Sequence, residues 1–251
     1  MKNVHRSIGL LRSLLMYYGI PFRRARLRRF YAQFIRPDSL CFDVGAHVGN
    51  RVRAWRDLGA RVVAVEPHPD LARLMRLLYG RDQSVTVIAA ALGADQGESM
   101  LLISPGNLTV STLTADWTRE VQRDPGFRHL SWQPEIWVPV TTLGALIHAH
   151  GLPDFVKIDV EGFEAEVLAG LDRPLPCLSF EYLPAVRYRA LACIERLEAL
   201  GDYRFNWSEG ESHRLGSPNW LSIAEIRRFV QNLPTTGRSG DVYARYPTVQ
   251  K

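Results

Sequence analysis

An α/β domain with a mostly parallel sheet and helices on both faces is predicted from three observations. Short apolar runs at 40–44, 61–65, 85–89, 155–159 and 177–181 read as buried strands. Helical stretches of about ten residues separate most of them, the spacing of βαβ units. Four of the runs end in or beside an acid: Asp43, Glu66, Asp159 and Glu181. In such a sheet ligands bind outside the carboxyl ends of the strands, where the strand order reverses, so acids there are placed for chemistry.

The 251 residues, 46% hydrophobic and 23% charged, suit one large domain with extensions and exclude a disordered or low-complexity chain. Cys41, Cys177 and Cys193 are odd in number and widely spaced, which fits neither a disulfide framework nor a zinc site and suits a reducing compartment. The apolar stretch at 10–20 is broken by Arg12, Ser13 and Gly19, whereas a membrane span needs about 20 nearly uncharged residues. No small-residue cleavage site follows it, so the expected location is cytoplasmic.

The net charge of +5 is unevenly distributed, with nine Lys and Arg residues between Lys2 and Arg36 and no acid before Asp38. The rest of the chain is therefore net negative, and no nucleic-acid partner is expected. We read 1–36 as a basic helical N-terminal arm and 37–251 as the domain. Leu10, Leu11, Leu14, Leu15 and Tyr18 recur at helical spacing. The arm could pack on the domain, lie peripherally on an anionic membrane, or contact an anionic carrier or substrate. An acid-poor, Arg-rich start is also the character of a mitochondrial presequence.

In chain order, the strand at 40–44 meets Gly45, and a helix at 48–58 closes at Gly59. The strand at 61–65 ends at Glu66-Pro67, and a helix at 70–79 closes at Gly80. A third strand at 85–89 follows. Residues 104–139 interrupt the rhythm with Trp117, Phe127, Trp132 and Trp137 and read as an aromatic insertion or lid. Its rings either fill a small core of their own or form a platform for an acceptor. Helices at 142–150, 164–171 and 185–200 alternate with strands at 155–159 and 177–181. The last strands, at 203–207 and 240–246, are expected to pair antiparallel.

Gly45 and Gly49 let the backbone turn sharply and approach a ligand, and Glu66, 21 residues beyond Gly45, can accept two ribose hydroxyls. The G-x-G-x-x-G spacing of dinucleotide enzymes is missing. Asp43 stands beside the turn instead, and an acid there opposes a pyrophosphate but favours a sulfonium and an α-ammonium group. The turn therefore suits S-adenosylmethionine better than NAD. Strand alternation predicts Lys157, Asp159 and Glu161 on one face, with a Lys157–Glu181 ion pair as the structural alternative for the lysine.

These residues resemble the FkbM-type S-adenosylmethionine-dependent methyltransferases from Phe42 to about Glu181. The likeness runs through Asp43-Val-Gly-Ala-His-Val-Gly49, Val65-Glu-Pro67, Ala91-Leu-Gly93, Ser111-Thr-Leu113 and Thr141-Thr-Leu143. Its most specific block is Phe155-Val-Lys-Ile-Asp-Val-Glu-Gly-Phe-Glu-Ala-Glu-Val-Leu-Ala-Gly170. The resemblance implies a Rossmann-like methyltransferase fold with a mostly parallel seven-stranded sheet. It also implies O-methylation of a sugar, glycoconjugate or natural product. Carried over, Asp43, Gly45, Ala46 and Gly49 would line the methionine and ribose, Glu66 would hold the ribose, and Ala91 would sit near the adenine. Asp159 and Glu161 would face the acceptor, with Asp159 as general base and His47 or His68 next in line. His47 replaces the commoner Asn, Gly144 the usual Asp, and Ala89 and Ala90 remove polar groups often present.

No metal ligand set is assigned, although a divalent cation held by Asp159, Glu161 and water is compatible with these oxygen ligands. Two other readings compete: a catalytically idle Rossmann-like module tethered to an anionic surface by its arm, and an NAD-dependent sugar oxidoreductase. The second lacks both the G-x-G-x-x-G turn and a Tyr-x-x-x-Lys pair.

Overall fold

The computed structural model describes residues 23–104, 107–122 and 126–247. Leu10 to Tyr18 of the arm lie outside them. The first described helix, α1 (Arg23–Tyr31), carries five arginines yet buries Leu27, Phe30 and Tyr31 at i, i+3 and i+4. Phe30, Tyr31 and Phe34 pack on Trp55, Phe155 and Tyr243, with Phe34 and Tyr243 stacked at 5.3 Å. Residues 23–35 are thus part of the packed body, although their charge reads as an arm.

The strands are β1 (Leu40–Val44), β2 (Arg61–Val65), β3 (Val85–Ile88), β4 (Ala91–Leu92), β5 (Gly97–Ile103), β6 (Gln133–Thr141), β7 (Phe155–Ile158), β8 (Cys177–Tyr182), β9 (Arg204–Glu209) and β10 (Gly240–Arg245). Seven of them form one sheet in the order β3-β2-β1-β7-β8-β10-β9. The first five are parallel, and β10 inserts antiparallel between β8 and β9. The connecting helices are α2 (Asn50–Arg56), α3 (Pro69–Tyr79), α4 (Ala115–Val121), α5 (Leu143–His150), α6 (Glu164–Ala169), α7 (Arg187–Leu200) and α8 (Ile223–Gln231). The expected α/β class with a mostly parallel seven-stranded sheet is what the chain adopts. Its order reverses at β1, which lies between β2 and β7, so the ligand crevice of such a sheet opens at the ends of β1 and β7.

Residues 97–141 are more regular than expected. Strands β5 and β6 pair antiparallel, and β4 adds to β6 at Val140 and Thr141, giving a second, three-stranded sheet. Pro134 and Pro139 hide β6 in the sequence, but the strand is paired on one side along most of its length, where proline is tolerated. Trp117 is fully buried against Phe127 and Trp132, both edge-on at 5.7 Å, so these rings fill a small core of their own. Trp137, on β6, is 64% exposed. The Trp117 ring also lies against Gly162, where an added Cβ would come within 2.1 Å of it. This contact fastens the aromatic segment to the loop after β7. None of the described helices is long and apolar enough to cross a membrane.

Candidate active site

The end of β1 is built by glycine and arginine. Gly45 has φ +78°, and a Cβ there would lie 1.8 Å from the Asp159 carbonyl oxygen, so only glycine lets the ends of β1 and β7 approach this closely. Gly45 N–H and Ala46 N–H both donate to Val65 O, at 3.0 and 3.1 Å. Arg51, near the start of α2, spans the junction. Its Nε donates to Asp43 Oδ1 at 2.8 Å, its Nη1 to Asp159 Oδ2 at 2.8 Å and its Nη2 to Gly45 O at 2.7 Å.

Three of the residues carried over for the cofactor consequently stand behind the turn. Asp43 is fully buried and faces Arg51 because it sits inside β1. Burial pushes its carboxyl up and the guanidinium pulls it back, with a net rise. Its Oδ2 is buried with no hydrogen-bond partner among the described residues. Ala46 is fully buried. Gly49 packs against Tyr79, whose hydroxyl donates to Gly49 O at 2.8 Å, so this glycine seats α2 on α3.

Gly45, Glu66 and Ala91 do line one cleft of about 460 Å³, beside His47, Leu108 and Phe163. Glu66 is 2% exposed and accepts the amides of His47 and His68, each at 2.8 Å. Burial outweighs these bonds and pushes its carboxyl up to about 7. Each carboxylate oxygen keeps a lone pair for a hydroxyl donor. Next to it, Ala90, Ala91, Leu92 and Leu101 offer an apolar wall fit for a flat ring. His47, at φ +50°, is held down to about 4 by burial and is therefore neutral. His68 is buried as the N-cap of α3, its Nδ1 accepting from Asp70 N–H at 3.2 Å, and so stands away from the chemistry.

The end of β7 is acidic. The strand stops at Ile158, and Glu161 (φ +54°) and Gly162 (φ +90°) turn the chain, so strand alternation does not continue to Glu161. The turn still gathers Asp159 and Glu161 with Glu181 of β8, with a carboxylate oxygen from each within 4.8 Å of the others. The Lys157–Glu181 pair, the structural alternative for the lysine, is not formed. Lys157 lies opposite Ser179 in the β7–β8 register and bonds Asp241 Oδ1 of β10 at 2.8 Å, with Asp159 Oδ2 at 3.5 Å. Burial raises the Asp159 carboxyl, but Lys157 and Arg51 overcome it and hold the group well below the usual range. Glu161 and Glu181 are raised well above theirs by burial and then by the charge of Asp159. Glu164 caps the turn by accepting the amides of Val160 and Gly162 at 3.1 and 3.2 Å.

A second, polar cavity of about 560 Å³ lies beyond this end, lined by Lys157, Asp159, Glu181 and Asp241 and walled by Leu27 and Tyr31 of α1. Asp159 lines both spaces. Arg51 was missed as a site residue because only the fold brings β1, the turn and β7 within reach of one side chain.

Among protein families, the Methyltransferase FkbM domain matches residues 43–189. No curated protein matches the chain. Among solved structures, an O-methyltransferase from Bacillus cereus in complex with SAH is similar at 13% identity and a TM-score of 0.46, covering 98% of this chain and 90% of that one. A precorrin-6y C5,15-methyltransferase from Geobacter metallireducens is similar at 14% identity and a TM-score of 0.46, covering 89% and 86%.

Proposed function

The chain belongs to the FkbM methyltransferase family, and from that premise we propose that it methylates a hydroxyl of a sugar, glycoconjugate or natural product. The observation that carries the reading is the meeting of two unlike spaces at Asp159: a part-apolar cleft with Glu66 in its floor, and a polar cavity rich in charge. The first fits S-adenosylmethionine through the Cβ-free approach at Gly45, the free lone pairs of Glu66 for ribose hydroxyls and the apolar wall at Ala91. When bound, S-adenosylmethionine supplies an electrophilic methyl group on a sulfonium.

The chain's own residues do the rest by position. Arg51 and Lys157 keep Asp159 ionised, which suits it to accept the hydrogen bond of an acceptor hydroxyl and aim the oxygen toward the cleft. A carboxylate held that low is a weak base, so Asp159 orients the acceptor where the sequence alone reads a general base. Glu161, whose carboxylate comes within 4.8 Å of that of Asp159, suits a neighbouring hydroxyl. The polar cavity, with acids and Lys157 on its walls, suits a polyhydroxylated acceptor.

The test is methyl transfer to sugar and macrolide hydroxyls by wild type and Asp159→Asn, with the methylated atom identified. Because misplacing a reactant by about 1 Å can cost 10²-fold, we expect kcat to fall by about 10²-fold or more while S-adenosylhomocysteine affinity stays within a few-fold. Turnover within a few-fold of wild type, or methyl found on nitrogen or carbon, would contradict the reading.

A further inference from the structure

Glu161 and Glu181 carry no part of the proposed cofactor contact, and they sit in an unusual electrostatic position. Their carboxylates come within 4.8 Å of each other and of Asp159. Asp159 has Arg51 at 2.8 Å and Lys157 at 3.5 Å. Glu161 is only 8% exposed, and its carboxylate has no hydrogen bond or ion pair among the described residues, although it points into the group. Glu181 likewise has no cationic partner, because Lys157 turns to Asp241. Glu161 is the costly one, a buried acid without a donor or a counter-charge, whereas Glu181 is half-buried. Glu161 is also fixed there. The Thr112 hydroxyl donates to Glu161 O at 2.7 Å, and Trp117 packs on Gly162.

We infer that Asp159, Glu161 and Glu181 form a binding site for one divalent cation of the hard, oxygen-preferring class, with magnesium or manganese as its occupant. Three carboxylate oxygens from one side leave the remaining positions of an octahedral ion for water and acceptor oxygens, the arrangement such ions favour. Asp159 lines both spaces and Glu181 lines the polar one, so an ion held by them would border the acceptor cavity. An acceptor hydroxyl bound there would be oriented and made more acidic by the ion. The purpose of the ion rests on the methyl-transfer reading; its binding does not.

The test uses full-length protein stripped with EDTA and titrated with MnCl2, with free Mn²⁺ followed by electron paramagnetic resonance and Mg²⁺ as competitor. We expect one Mn²⁺ per chain, displaced by Mg²⁺, and binding weaker by about tenfold or more in Glu161→Gln and in Glu181→Gln. Melting in EDTA shows whether each variant is folded. Should a variant fail to fold, Tb³⁺ added to the wild type decides, since Trp117 is close enough to sensitise its emission and Mg²⁺ should quench it by displacement. Absence of saturable binding, unchanged Mn²⁺ affinity in both folded variants, or no Mg²⁺-sensitive Tb³⁺ emission would overturn the site. S-adenosylhomocysteine titrated into the same samples separates the two readings: its binding without Mn²⁺ removes the ion site alone, and Mn²⁺ binding without it removes the cofactor reading alone.

Discussion

The Gly45→Val variant is expected to lose cofactor binding and about 3 kcal/mol or more of stability together. At φ +78° a branched residue is strained on its own, and its Cβ would meet the Asp159 carbonyl oxygen at 1.8 Å. That carbonyl belongs to the backbone at the end of β7, which cannot move aside without breaking the Asp159 N–H bond to Val44 O at 2.9 Å. The two central strands would have to separate at the place where they form the floor of the cleft. Urea unfolding and S-adenosylhomocysteine calorimetry measure the two losses. Gly45→Ala carries the same Cβ and should move both readouts in the same direction, and wild-type stability in either variant would contradict the close approach.

The Arg51→Met variant is expected to be destabilised by about 3–5 kcal/mol, the range for removing one partner of a buried ion pair. Met fills similar volume but leaves Asp43, fully buried, and the Oδ2 of Asp159 without the guanidinium that bonds both. The pH dependence has a definite sign. Burial already lifts Asp43 above its unfolded value of 3.8, and loss of Arg51 lifts it further. A folded state that prefers the protonated acid loses stability as pH rises above the unfolded pKa. The deficit against wild type should therefore shrink as pH falls toward 3.8 and widen toward neutrality. A deficit that is flat over this window would place the charge of Asp43 elsewhere. Arg51→Lys should rescue little, because three acceptors on two strands and a turn need the planar fork.

What was legible in the sequence follows the physics of burial. Strands β1, β2, β7 and β8 are covered on both faces and so read as continuous apolar runs, and the glycine turn and the strand-end acids stand out against them. What depends on tertiary placement did not show. Five arginines mask the spacing of Leu27, Phe30 and Tyr31 that buries α1. Two prolines mask β6, whose pairing lies mostly on one side. Lys157 reaches Asp241 because β10 runs antiparallel beside β8 and sets Asp241 opposite Glu181, a register no local pattern specifies. In the site, Glu66, Gly45, Ala91 and Asp159 line the cleft, whereas Asp43 sits too deep inside its strand to reach it.

Calorimetric titration of S-adenosylmethionine, S-adenosylhomocysteine and NAD in parallel, on wild type and Glu66→Ala, tests the central claim most directly. Both sulfur ligands should bind wild type and NAD should not. Losing the charged acceptor of two hydroxyls should cost about 1.5–3 kcal/mol in Glu66→Ala. Because ribose hydroxyls donate to the ionised carboxylate and this group is pushed up to about 7, wild-type affinity should also decline as pH falls below about 7. Binding of NAD as tight as that of S-adenosylhomocysteine, or wild-type affinity in Glu66→Ala, would contradict the assignment of this cleft to the methyl donor.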